Sequence, residues 1–276
     1  MNLFKLIENV EKVDPDVFER LDGRRAAVKK FTGYAGKVAA LSLPLVFGSM
    51  FKKAYGQTTI PIVDVLNFAL TLEYLEAEFY TKGVAAAGLI PAGDLPGFTT
   101  IRDHENAHVN FLKTAITAAG GTPVAKPTFD FTAGNGSNSG PYATVFTNYD
   151  TFLAVSQAFE DTGVRAYKGQ AGNLMSNNDV LTAALQIHSV EGRHASHVRL
   201  IRKNRGANVK PWITGNDAGG VPGVAAVYAG EENTTQAGVP IMNINGMSIS
   251  TAAASEAFDE PLTKEQVLAI VDPFIV

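Results

Sequence analysis

A chain of 276 residues is long enough to bury one sizeable core, and 46% apolar with 18% charged residues excludes wholesale disorder. Its 23 Lys and Arg against 27 Asp and Glu give a net charge of −4, and no basic tract interleaved with aromatics points to nucleic acid. The lack of any cysteine removes disulfides, thiolate zinc sites, iron–sulfur clusters and thiol nucleophiles.

The charge is unevenly spread. Residues 1–56 hold ten basic and six acidic side chains, a balance of +4 that leaves −8 on the remainder. Arg24-Arg25 precede an uncharged apolar run from Val38 to Phe51. Its 14 residues are too few for a bilayer-spanning helix, which takes about 20, but they match the hydrophobic region of an export signal. With Lys52-Lys53 and Ala54-Tyr55-Gly56 behind it, the segment resembles a twin-arginine leader, although Ala27 stands where that motif carries Phe. Such a leader over 1–56 implies an exported, periplasmic or otherwise extracytoplasmic protein, with no stable membrane span once the leader is removed. An amphipathic N-terminal helix packed on the domain, in a cytoplasmic protein, is the other reading.

Thr58-Thr59-Ile60-Pro61 has a capping hydroxyl and a first-turn proline, and predicts a long helix A from Ile62 to about Ala87. A Gly/Pro-rich turn over 88–97 leads to helix B, Thr99 to Ala119, stopped by Gly120-Gly121. Residues 121–148 are dominated by Pro, Gly, Ser, Asn and Thr and form a long connection. Helix C runs from about Asp150 to Gly169–Gly172, and helix D from the Asn177-Asn178-Asp179 cap to about Arg205. Two short-looped helix pairs joined by one long link predict an all-α fold: a four-helix bundle over 57–206 with a B–C crossover. The tail, 207–276, lacks helical period until Thr263, where Thr263-Lys264-Glu265-Gln266 reads as a capping box opening a short helix, Val267 to Val271. It is expected to pack on the bundle, docked by Trp212. Phe68, Phe79, Phe111, Phe152 and Phe159 read as core.

All five histidines lie in helices B and D. Helix B carries Glu105-x-x-His108 and helix D carries Glu191-x-x-His194; at i and i+3 a carboxylate and an imidazole emerge on one helix face. Helices A and C carry Glu73 and Glu160, each followed seven residues later by a tyrosine, Tyr80 and Tyr167, at nearly the same azimuth. Glu73 to Glu160 is 87 residues, while Glu105 to Glu191 and His108 to His194 are each 86. The second half therefore repeats the first in order and spacing, which describes a pseudo-two-fold site. Four carboxylates facing one core are costly if ionised and unpaired. Two divalent cations neutralise them, and carboxylate with imidazole suits iron or manganese, or zinc in vitro.

Nearby residues compete for these roles. Glu76, one turn from Glu73, is an alternative ligand, which the tyrosine register disfavours. Glu78 points away toward solvent or an ion pair, and Asp103 and Arg193 read as helix-surface partners. His104, His188 and His197 read as rim or hydrogen-bonding residues. No Ser/His/Asp triad and no phosphate-cradling glycine motif is found.

Two carboxylates and two Glu-x-x-His pairs form the ligand set of ferritin-like di-metal bundles. With Leu72-Glu73-Tyr74-Leu75-Glu76-Ala77-Glu78-Phe79-Tyr80, Arg102-Asp103-His104-Glu105-Asn106-Ala107-His108 and the closing Phe258-Asp259-Glu260-Pro261-Leu262, the chain resembles the desiccation-related branch of the ferritin-like superfamily. The resemblance is strong over about 60–205. It implies Glu73, Glu105, His108, Glu160, Glu191 and His194 as ligands, with Tyr80, Tyr167 and Glu76 behind them.

Two functions follow as expectations. One is redox chemistry on a small oxidant, dioxygen or peroxide, at two iron or manganese ions, resembling catalase or ferroxidase. The other is a stress-protective structural protein, free or as a homo-oligomer, in which the metal is a staple. A hollow iron-storage shell is disfavoured, because the tail and crossover would obstruct its close packing.

Overall fold

The computed structural model describes residues 60–276; the leader reading of 1–56 lies outside the described residues. Four long helices form the body: α1 (Ile62–Ala85), α2 (Leu95–Ala118), α3 (Tyr149–Ala171) and α4 (Asn178–Asn204). Helices α1 and α2 pack as one hairpin and α3 and α4 as the other, with residues 119–148 crossing between them.

Local chemistry accounts for most helix ends. The Asn148 side chain accepts the Thr151 N–H at the start of α3, and Asn177 accepts those of Asp179 and Val180 at the start of α4. At α1 the N-cap residue is Pro61, which offers no side-chain cap; Thr58 and Thr59 lie outside the described residues. Helix α2 corrects the sequence reading, for it starts at Leu95 rather than Thr99. Pro96 sits in the first turn, where its missing N–H costs no helical bond. Gly97 is needed there, since a Cβ would come within 2.5 Å of the His197 ring across the packed α4.

The core centres on Phe79, stacked on Phe152 at 4.9 Å and touching Phe131, Phe146 and Phe159. Phe111 is not core, being 45% exposed on α2. The crossover is organised by buried Asp130, which accepts the backbone N–H groups of Thr132, Gly136 and Asn138. The end of the chain closes over it through bonds from Asp130 N to Phe274 O and from Val276 N to Thr128 O.

The tail contains more than the sequence showed. Short helices α5 (Ala225–Tyr228) and α6 (Thr251–Ser255) and a small hairpin (Thr235–Gln236 with Val239–Pro240) precede α7 (Lys264–Val271). All are too short to leave a periodic signature. The Thr263–Gln266 capping box is present as read. Trp212 is 51% exposed, yet it is tied to the tail: its side chain hydrogen-bonds Glu256, and its carbonyl accepts from Arg199. Buried polar anchors add to this docking. Arg199 holds Asp161 at 2.6 Å, Tyr228 donates to the same carboxylate at 2.8 Å, and Arg165 pairs with Glu231 at 2.7 Å. Among the described residues no helix is long and apolar enough to cross a membrane.

Candidate metal centre

Each long helix delivers its acidic residue to the bundle interior. Glu73 (α1), Glu105 (α2), Glu160 (α3) and Glu191 (α4) are fully buried, and His108 and His194 nearly so. Their donor atoms gather into two groups: Glu73, Glu105, His108 and Glu191, and then Glu105, Glu160, Glu191 and His194. Within each group the atoms lie within 4.8 Å of one another. Glu105 and Glu191 belong to both groups, whereas each histidine and each of Glu73 and Glu160 belongs to one. Glu76 is buried but lies outside both groups.

The i, i+3 spacing works as follows. His108 Nδ1 lies 3.1 Å from Glu105 Oε2 on its own helix and 3.1 Å from Glu73 Oε2 across the hairpin. His194 Nδ1 lies 2.8 Å from Glu105 Oε1 and 3.3 Å from Glu160 Oε2. Yet His194 Nδ1, Glu105 Oε1, Glu160 Oε2 and both Glu191 oxygens find no hydrogen-bond partner. Close approach without alignment is the arrangement of lone pairs facing a shared point. Leaving such groups buried and unpaired costs roughly 1–3 kcal/mol each, and a cation at that point would satisfy them together. The donor set therefore fits divalent metal: carboxylate oxygen and imidazole nitrogen, without sulfur.

The tyrosines cross between halves. Tyr80 on α1 donates to Glu160 Oε1 on α3 at 2.5 Å, and Tyr167 on α3 donates to Glu73 Oε1 on α1. Each tyrosine thus orients the carboxylate of the opposite helix, not the glutamate seven residues before it. If this matters to the site, Tyr80→Phe should weaken metal binding about 10–100-fold, the usual cost of losing a residue that orients a ligand. Unchanged affinity by competition with a chelator would make the bond incidental.

Electrostatics without metal sort the group into proton holders and one fixed charge. Burial, and then the Glu105 charge, push Glu73 up to about 8. Burial and the neighbouring carboxylates also raise Glu76 and Glu191, and burial raises Glu160. Burial would raise Glu105 too, but the His108 and His194 rings hold it down at about 2. Burial opposes charge on those rings, and the carboxylates overcome it, lifting both to about 10.

Two contacts carry no sequence motif. The exposed His104 places Nδ1 3.0 Å from His194 Nε2, with the rings stacked, so it backs the face of His194 that turns away from the glutamates. Gly163 leaves room for two carboxylates, since a Cβ there would meet Glu191 Oε2 at 2.6 Å and Glu76 Oε1 at 3.4 Å. Its one visible signal is position: Gly163 falls 87 residues after Glu76, one repeat on. His188 and His197 lie outside both groups, and His197 packs near Phe98. Glu78 is paired with Lys82 and Lys126, and Asp103 with Arg102.

No curated protein matches the chain in sequence. A family model described as ferritin-like domain matches residues 62–204, which run from the first residue of α1 to the last of α4. That match takes in more than half of the chain and all six of the gathered ligand candidates, and the chain belongs to the ferritin-like domain family.

Proposed function

We propose that the bundle holds two divalent metal ions, iron or manganese, and carries out redox chemistry on dioxygen or peroxide. The observation that carries this reading is the division of the donors into two groups sharing Glu105 and Glu191. When bound, such a pair of ions supplies electrons and Lewis acidity. The chain's own part is then clear. Glu105 and Glu191, common to both donor groups, would be shared between the ions, His108 and His194 would each hold one of them, and Tyr80 and Tyr167 hold the Glu160 and Glu73 carboxylates in place. The apolar shell around Phe79 excludes bulk water. His108, the most exposed member, marks the side from which a small oxidant would enter.

The test is metal analysis of protein from its native host, followed by oxygen evolution from peroxide and ferrous oxidation by dioxygen. Turnover in either assay supports the reading. Tightly bound metal without turnover in both would favour the staple in a stress- or desiccation-protective protein, a reading to which the complete burial of the four glutamates also lends weight. We further propose export through residues 1–56. Replacing Arg24 and Arg25 by Lys should leave the protein in the cytoplasm, and an intact Met1 on active, cytoplasmic protein would overturn it.

A further inference from the structure

At the end of the bundle where α4 begins, all four helices line a cavity of about 380 Å³. Leu66, Leu72, Leu112, Leu174 and Ile187 form much of its wall, and the exposed Phe111 ring belongs to it too. Three features say what it would take. First, among the described residues no Lys, Arg or His lines it, and Asp179 is the only charged one. Second, Gln170 lines it while 7% exposed; its amide oxygen accepts Asn173 Nδ2 at 2.9 Å, and its amide nitrogen has no hydrogen-bond partner among the described residues. Third, a purely apolar cavity of roughly 150 Å³ holds one benzene and stays dry, so this one suits roughly fifteen carbon-sized atoms by the same proportion.

We propose that the cavity binds a neutral, medium-chain aliphatic molecule bearing one hydrogen-bond-accepting oxygen. The chain lies among the leucines and Phe111, and the oxygen accepts from Gln170 Nε2. A fatty-acid anion is rejected, because its carboxylate would enter an apolar site where no cation among the described residues meets it and Asp179 stands on the wall. Tyr167 forms part of the wall, and its hydroxyl is already given to Glu73, so the occupant lies one residue from the metal centre without touching it. The proposal needs no metal.

The experiment is calorimetric titration of the metal-free full chain with 1-decanol and, separately, with decanoate at pH 8. We expect one decanol per chain and decanoate at least tenfold weaker. Gln170→Leu should weaken decanol about fivefold, the worth of one hydrogen bond. Ala184→Phe, which fills the cavity, and Ala118→Trp, on the exposed end of α2 where folding is not at risk, should each weaken it at least tenfold. Absence of decanol binding, decanoate binding as tightly, or unchanged affinity in Ala118→Trp together with Gln170→Leu would each overturn the proposal. Because no metal is present, these outcomes are distinct from any failure of the di-metal reading.

Discussion

Stripped of metal, the protein is expected to melt at a temperature that falls by some tens of degrees between pH 6 and pH 9. The sign follows from which state holds the protons. His108 and His194 bind theirs up to about pH 10 in the folded chain, against 6.5 when unfolded. Glu73 keeps its proton up to about 8, against 4.5. Stability from such raised groups is complete below the unfolded value and is lost as the pH climbs through the folded one. Glu76, Glu160 and Glu191 act in the same direction. Glu105, held at about 2, acts oppositely, but only below the ordinary carboxylate range. Each pH unit crossed by one such group is worth about 1.4 kcal/mol, and each kcal/mol about 2–4 °C in a domain of this size.

Metal demands the deprotonated donors, so the gap between loaded and metal-free melting temperatures should widen with pH. Scanning calorimetry in chelator and in metal measures both curves. Titration of metal in buffers of different ionisation enthalpy counts the protons displaced. A count of zero near neutral pH would mean that the glutamates are ionised and solvated already, and the buried cluster would have to be abandoned.

The second large effect separates shared ligands from terminal ones. Glu105→Ala and Glu191→Ala should each weaken both ions by on the order of 100-fold or more, beyond the usual cost of losing an orienting residue. His108→Ala and His194→Ala should instead each strip one ion and leave the other, because each ring belongs to a single group. Metal-to-protein ratios after dialysis distinguish the two patterns. Two ions retained with unchanged affinity in either histidine variant would refute the assignment. Replacing Glu73 and Glu160 by Gln should weaken metal binding and, by removing carboxylates that keep His108 and His194 protonated, flatten the fall of the metal-free melting temperature with pH.

Much of this architecture is legible in the sequence because it rests on local rules. Asn148, Asn177 and Thr263 cap helices where cap residues are expected, and the repeat of Glu, Glu-x-x-His and Tyr announces a two-fold site before any packing is known. What spacing cannot convey is partnership across helices. A seven-residue interval puts Glu73 and Tyr80 on one face, but only the packed bundle gives Tyr80 to Glu160. Phe111 misleads for a related reason: a large apolar residue is read as core, and whether a surface closes over it depends on distant chain. The Arg199–Asp161–Tyr228 anchor joins residues 67 apart with no periodic trace.

The crossed tyrosines bear on how the two halves can change over time. Aligning 72–80 with 159–167, only the Glu and the Tyr coincide; aligning 102–109 with 188–195, only the Glu and the His coincide. Elsewhere in these stretches the halves differ, even setting Glu76 opposite Gly163. The eight shared residues have no such freedom, because a change on one helix injures a carboxylate borne by the other. Neither half holds a complete site alone, since each group of donors draws on both hairpins, so neither could be lost or repurposed while the other kept the task.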